Sequence, residues 1–185
     1  MAWKDMFGKG KKEKEIDPLA DLTLAKLKKG YYLDYDMNTW QVEARHQYDW
    51  GGGDITHEWQ LKSHDDTIYL SKETDDEDEW TISRKIPIGK IGSHVTDHII
   101  EHEDPPDEIT VDGVTYYLEE SGGGHFYENG KSPGQQFISW DYEDDSGEKY
   151  LTIEQWSEED FEASAGTSVE EYQFTNILPG EKETS

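Results

Sequence analysis

Apolar and polar residues alternate with a period of two along most of this chain, the pattern of β-strands with one buried face. Thr39–His46 is the clearest case: Trp40, Val42 and Ala44 fall on one side, Gln41, Glu43 and Arg45 on the other. Similar stretches, separated by Gly, Asp and Asn turns, predict strands over Tyr31–Tyr35, Thr56–Lys62, Thr67–Glu73 and Trp80–Ile88. A second series is predicted over Ile109–Val111, Val114–Ser121, Phe137–Glu143, Lys149–Trp156 and Glu170–Leu178. Gly51–Asp54 and the longer stretch Gly122–Gln135 read as loops. Ahead of the strands, Asp17 as N-cap, Pro18 at the first helical position and Gly30 as a stop predict one short helix with Leu19, Leu22 and Leu27 inward.

The two series resemble each other. Asp36–Glu43 aligns with Asp112–Glu119. Further on, Trp59 falls on Trp140, Tyr69-Leu70-Ser71 on Tyr150-Leu151-Thr152, Glu73 on Glu154 and Trp80 on Phe161. Internal similarity of this kind is the signature of a duplicated unit. The fold class it predicts is mainly β: two tandem, similar antiparallel β-meander units in a pseudo-symmetric arrangement, with a short N-terminal helix. The boundaries are a basic arm at 1–15, the helix at 16–30, the first repeat at 31–88, a His-containing acidic linker at 89–108, the second repeat at 109–178 and a disordered tail at 179–185. The matched aromatic pairs Trp40/Tyr116, Trp59/Trp140 and Trp80/Phe161 are assigned to the core, and Tyr31, Tyr48, Trp50 and Tyr127 to exposed contacts.

Composition fits a thin, aromatic-rich core. Hydrophobic residues make up 32% of the chain, below the roughly 45–50% of an average globular domain. Seven Trp, eleven Tyr and five Phe compensate, since each buried ring removes about 150–250 Å² from water. There is no cysteine, which excludes disulfides, thiolate catalysis and Cys-based zinc sites. With neither a signal-peptide core nor an apolar run of membrane-spanning length, the expected location is the cytoplasm, with peripheral contact at the inner face of the membrane.

The net charge of −26 is unevenly spread. Residues 1–30 carry eight Lys and five acids, so the rest of the chain carries −29. Nucleic-acid binding relies on Lys and Arg neutralising phosphates, so an acidic body argues against it. Cations and basic protein surfaces are the partners such a field attracts.

Several segments together resemble a known family: Gly30–Asp36, Thr39–Glu43, Tyr69–Ser71, Asp112–Tyr116 with Glu120–Gly122, and Tyr150–Trp156. Over about residues 24–178 the chain resembles the bacterial domain-of-unknown-function family 4178. The resemblance implies an accessory protein, of a kind often encoded near phage-shock-type membrane-remodelling proteins, small membrane proteins and polyamine-synthesis enzymes. It implies no catalytic residue and no cofactor.

Candidate chemistry is sparse. His94, His98 and His102 have i, i+4, i+8 spacing, which places three imidazoles on one face of a helix beside Asp97 and Glu101. Imidazole with carboxylate suits zinc and related metals. The same residues also alternate as a strand. Glu73–Glu79 and Asp141–Asp145 are acidic runs without an EF-hand pattern; such runs attract polycations, polyamines included. Trp3, Phe7, Lys11 and Lys12 form a small basic-aromatic arm of the kind that touches a membrane or partner. No nucleophile elbow, metalloprotease motif or phosphate-binding loop is present. The chain therefore reads as a non-enzymatic accessory or interaction protein of a membrane-stress or polyamine-linked system, binding a basic partner through its acidic surface. The alternatives are a module for a small ligand or cation (metal or polyamine), and an enzyme with a cleft between the repeats.

Overall fold

Two-residue turns with left-handed backbone set three of the hairpins: Asp36-Met37, Gly52-Gly53 and Asp112-Gly113 all have positive φ. That conformation matches the twist of the flanking strands and favours Gly, Asp and Asn. A computed structural model describes residues 22–181. Eleven strands follow: β1 Tyr32–Tyr35, β2 Asn38–Gly51, β3 Asp54–Lys62, β4 Thr67–Thr74, β5 Asp78–Ile86, β6 Glu108–Val111, β7 Val114–Tyr127, β8 Gln135–Asp144, β9 Lys149–Ser157, β10 Asp160–Val169 and β11 Thr175–Leu178. One α-helix, α1 (Ser93–His102), stands between β5 and β6.

The strands form one antiparallel sheet in the order β11-β1-β2-β3-β4-β5-β10-β9-β8-β7-β6, and β2 also pairs with β7. That last pairing, Gln47–Asp49 against His125–Tyr127, closes β2, β3, β4, β5, β10, β9, β8 and β7 into an eight-stranded barrel. β1 and β6 pair with the opposite ends of the same two long strands, outside the ring.

Each long strand carries a bulge. In β2, Val42 pairs with Leu61 but Ala44 pairs with Gln60, leaving Glu43 extra. In β7, Leu118 pairs with Tyr142 but Glu120 pairs with Asp141, leaving Glu119 extra. A bulge moves the following residues to the other face of the sheet. Trp40 and Val42 thus sit in one apolar cluster with Trp59, Leu61, Leu70 and Ile82 on the barrel's outer face. Beyond the bulge, His46 and Tyr48 point into the lumen, where they pack on Phe126 and Phe137. The apparently continuous apolar side of β2 therefore serves two different faces.

Two separate apolar clusters cover the outside of the barrel. Leu24, Leu27, Leu33 and Phe174 close the first over Trp59 and Trp80. Ile91, Val95, Ile99, Ile109 and Val111 close the second over Trp140, Tyr142, Leu151 and Ile153. Trp40, Tyr116, Trp59, Trp140 and Trp80 are all buried, and Phe161 packs against the second cluster. The Trp59 indole also donates to the Leu27 carbonyl at 3.0 Å.

The structure corrects several sequence expectations. The predicted loop from Gly122 is strand as far as Tyr127. β10 replaces a stretch with no predicted strand, because Ala163, Ser164, Ala165 and Gly166 lack the β-branched signal. Glu170–Leu178 is a 3-10 turn, Glu171–Gln173, followed by the short β11. The linker at 89–108 holds α1. Of the predicted N-terminal helix, the described part contains a single 3-10 turn, Leu24–Lys26. Tyr48 is buried, not exposed.

Gly124 explains the strand-like glycines. A Cβ at this position would lie 2.1 Å from the Asp49 carbonyl oxygen and 3.2 Å from Trp50 Cα. The two long strands meet there with no room for a side chain. Gly124→Ala is expected to destabilise by about 2–4 kcal/mol, lowering Tm by about 5–10 °C. Gly89→Ala, with open space around its Cβ and no positive φ, is the control. Equal melts for the two variants would contradict the closure at β2–β7.

Candidate functional site in the barrel lumen

Pairing fixes which side chains share the lumen, because directly paired residues lie on one face. Gln60 pairs with Tyr69, Tyr69 with Ser83, and Ser83 with Gly166. Glu58, Ser71, Lys85, Ser164, Glu162, Thr152, Glu154, Ser139 and Asp141 fall on the same side. An eight-stranded barrel either fills its interior with side chains or holds one small ligand. Here β4, β5 and β10 contribute, beside Tyr69, Lys85 and Glu162, five small residues (Ser71, Thr81, Ser83, Ser164 and Gly166), each of which keeps partial exposure.

Aromatic rings line one region. Tyr48 and Trp50 both meet Phe137 edge-on, at 5.3 and 5.0 Å between centroids. Phe126 meets Trp156 at 5.4 Å. Trp50 donates to Thr56 Oγ1 at 2.9 Å, and its ring lies over Gly122. The Trp156 indole N–H is buried without a hydrogen-bond partner, a cost of about 1–3 kcal/mol.

Charge fills the rest. Lys85 Nζ is 2.6 Å from Glu162 Oε2 and 3.3 Å from Glu154 Oε2, and it sits 5.7 Å from the centre of the Tyr69 ring. Burial and then the charges of Glu58 and Glu154 hold the Tyr48 hydroxyl well above its ordinary pKa. Burial opposes the charge on Lys85, but Glu154, Glu162 and Glu58 outweigh it and hold the ammonium above its ordinary pKa. Glu58 is half-buried and faces Glu154, and burial followed by that repulsion pushes it up to about 8. Asp141 is raised by burial, partly offset by the Thr152 hydroxyl donating at 2.7 Å. Glu73 is raised by burial and by the nearby charges of Asp141, Glu79 and Glu120. His46 is depressed by burial and accepts the Asn129 amide at Nδ1, 3.1 Å away.

The sequence-predicted sites lie elsewhere. His94, His98 and His102 are on α1, outside the barrel; the rings of His98 and His102 are 4.5 Å apart. His98 Nδ1 is 2.6 Å from the Asp104 carbonyl. Among the described residues, no group of three His, Cys, Asp or Glu side chains is placed to hold a metal ion. In the acidic run at 73–79, Asp78 pairs with Lys72 at 2.9 Å. In the run at 141–145, Asp144 caps a turn by accepting from Ser146 and the Lys149 amide. Trp3, Phe7, Lys11 and Lys12 lie outside the described residues. No helix among the described residues is long and apolar enough to cross a membrane.

The lumen was missed because its polar residues alternate with core residues, as solvent-facing ones would. A usable signal was present: Phe137 and Trp156 share the parity of Asp141 and Glu154. Aromatics on the polar parity mark a second buried face.

Comparisons with known proteins reach the level of family. The family model Domain of unknown function (DUF4178) matches residues 28–171. An uncharacterized protein of Aquifex aeolicus (strain VF5) is 27% identical over 176 residues, covering 95% of this chain and 96% of that protein. No solved structure matches the chain. The chain belongs to the DUF4178 family.

The pKa of Glu58 gives a signed expectation. Its folded value, about 8, lies above the usual 4.5, so the folded state keeps a proton that the unfolded chain releases. Stability linked to Glu58 is full below pH 4.5 and is lost as pH rises toward 8. Glu58→Gln removes this linkage. The Tm difference, variant minus wild type, should therefore grow by several degrees between pH 5 and pH 9. A difference constant with pH would contradict the assignment.

Proposed function

We propose that this protein is a non-enzymatic binding module whose barrel lumen takes a small organic cation carrying more than one amine. The observation that carries the proposal is the imbalance inside the lumen. Lys85 is paired with Glu154 and Glu162 and feels the charge of Glu58, while Glu73 on β4 and Asp141 on β8, across the ring from each other, are both raised by burial. A bound ammonium would let Glu58 ionise without an uncompensated buried charge.

An amine is favoured over a single metal ion, since among the described residues no three of these carboxylates are placed to hold one. The rings of Tyr48, Tyr69 and Trp50 add faces on which an alkylammonium gains cation–π attraction. The accessory role in a polyamine-linked or membrane-stress system is consistent with such a ligand. The tandem-repeat reading belongs here as well. Its support is the match between β1–β2 and β6–β7: short strand, two-residue turn, 14-residue strand, bulge after the fifth residue. On that reading the lumen is the seam between two copies of one unit.

Spermidine is the probe. At about a hundredfold excess over its dissociation constant, a ligand specific to the folded state adds about 2.7 kcal/mol, which raises Tm by about 5–10 °C in a chain of this size. The rise should saturate and should vanish in Glu58→Gln/Glu154→Gln. NaCl at matched ionic strength should not reproduce it. An unsaturable shift, or one unchanged in the double variant, would contradict a lumen site.

A further inference from the structure

Outside the barrel, a groove of about 310 Å³ runs between α1 and the β9–β10 turn. Ile88, Ile100 and Phe161 form its floor, Thr96 one wall, and Glu159 and Asp160 its rim. Ile100 is 47% exposed although the same helix buries Val95 and Ile99. On the same face, two strands beyond Phe161 and separated from it by Gln155, lies Ile138, which is 46% exposed. No Lys or Arg lines the groove. The nearby Lys90 is engaged at 2.9 Å with Asp112.

We infer that this groove docks an amphipathic basic segment of a partner protein, its apolar side on Ile100, Phe161 and Ile138 and its lysines or arginines on Glu159 and Asp160. Half-exposed branched side chains beside a one-signed rim are the complement of such a segment. A second copy of this chain fits less well, because it would bring the same acidic rim against itself. The groove and the lumen lie on opposite sides of the β9–β10 wall and share no residue, so either assignment can fail without the other.

The probe is a fluorescein-labelled helical peptide built only of leucine and lysine, titrated by anisotropy at physiological salt into the full chain. One-to-one binding is expected, weakened about tenfold or more by Ile100→Asp and by Glu159→Lys/Asp160→Lys. Asp75→Lys/Asp76→Lys makes the same charge change on a remote turn and should leave affinity within about twofold. Equal loss in the remote variant would overturn the site in favour of diffuse attraction. A dimer in sedimentation velocity that Ile100→Asp dissolves would assign the groove to a second copy. A gain of about tenfold on deleting residues 1–15 would assign it to the chain's own arm. Either result overturns the proposal.

Discussion

Everything in this molecule depends on the place where two long strands meet. The three-residue pairing of β2 with β7 turns a strip of strands into a closed ring, and Gly124 permits it by leaving no Cβ against the Asp49 carbonyl. Without that contact the inner face would be an open, half-solvated surface. With it, carboxylates from different strands face one another across the lumen, and the shifts of Glu58, Glu73 and Asp141 become a property of the barrel.

The barrel reverses the usual distribution of polarity. Its lumen is polar and aromatic, and its apolar surface faces outward, covered by β1, β11 and a 3-10 turn on one side and by α1 and β6 on the other. The bulges at Glu43 and Glu119 make this possible with ordinary alternation. Each long strand supplies one end to an outer cluster and the other end to the lumen. Arg45, carried to the outer face by its bulge, lies 5.5 Å over the Trp59 ring.

Much of the strand framework was legible in the sequence because its turns use residues that tolerate positive φ and its outer-core positions alternate. The parts that were not legible have physical causes. β10 carries small residues where it packs closely on β5; a Cβ on Gly166 would lie 2.6 Å from the Ile82 carbonyl. The Gly122–Gly124 run imitates a loop because the close approach of two backbones also demands glycine. Glu58 and Glu154 look like surface acids beside Trp59 and Ile153. Only closure of the ring distinguishes an enclosed acid from a solvated one, and closure joins residues about 80 positions apart.

The central claim is that the lumen acids receive a cationic amine and that Glu58 gives up its proton when they do. Calorimetric titration of spermidine at pH 7, in two buffers of different ionisation enthalpy, measures that proton directly. The account predicts a released fraction approaching one proton per bound ligand, since a group with a pKa of about 8 is largely protonated at that pH, and no release in Glu58→Gln. Binding with no buffer dependence, or the same release from Glu58→Gln, would contradict it.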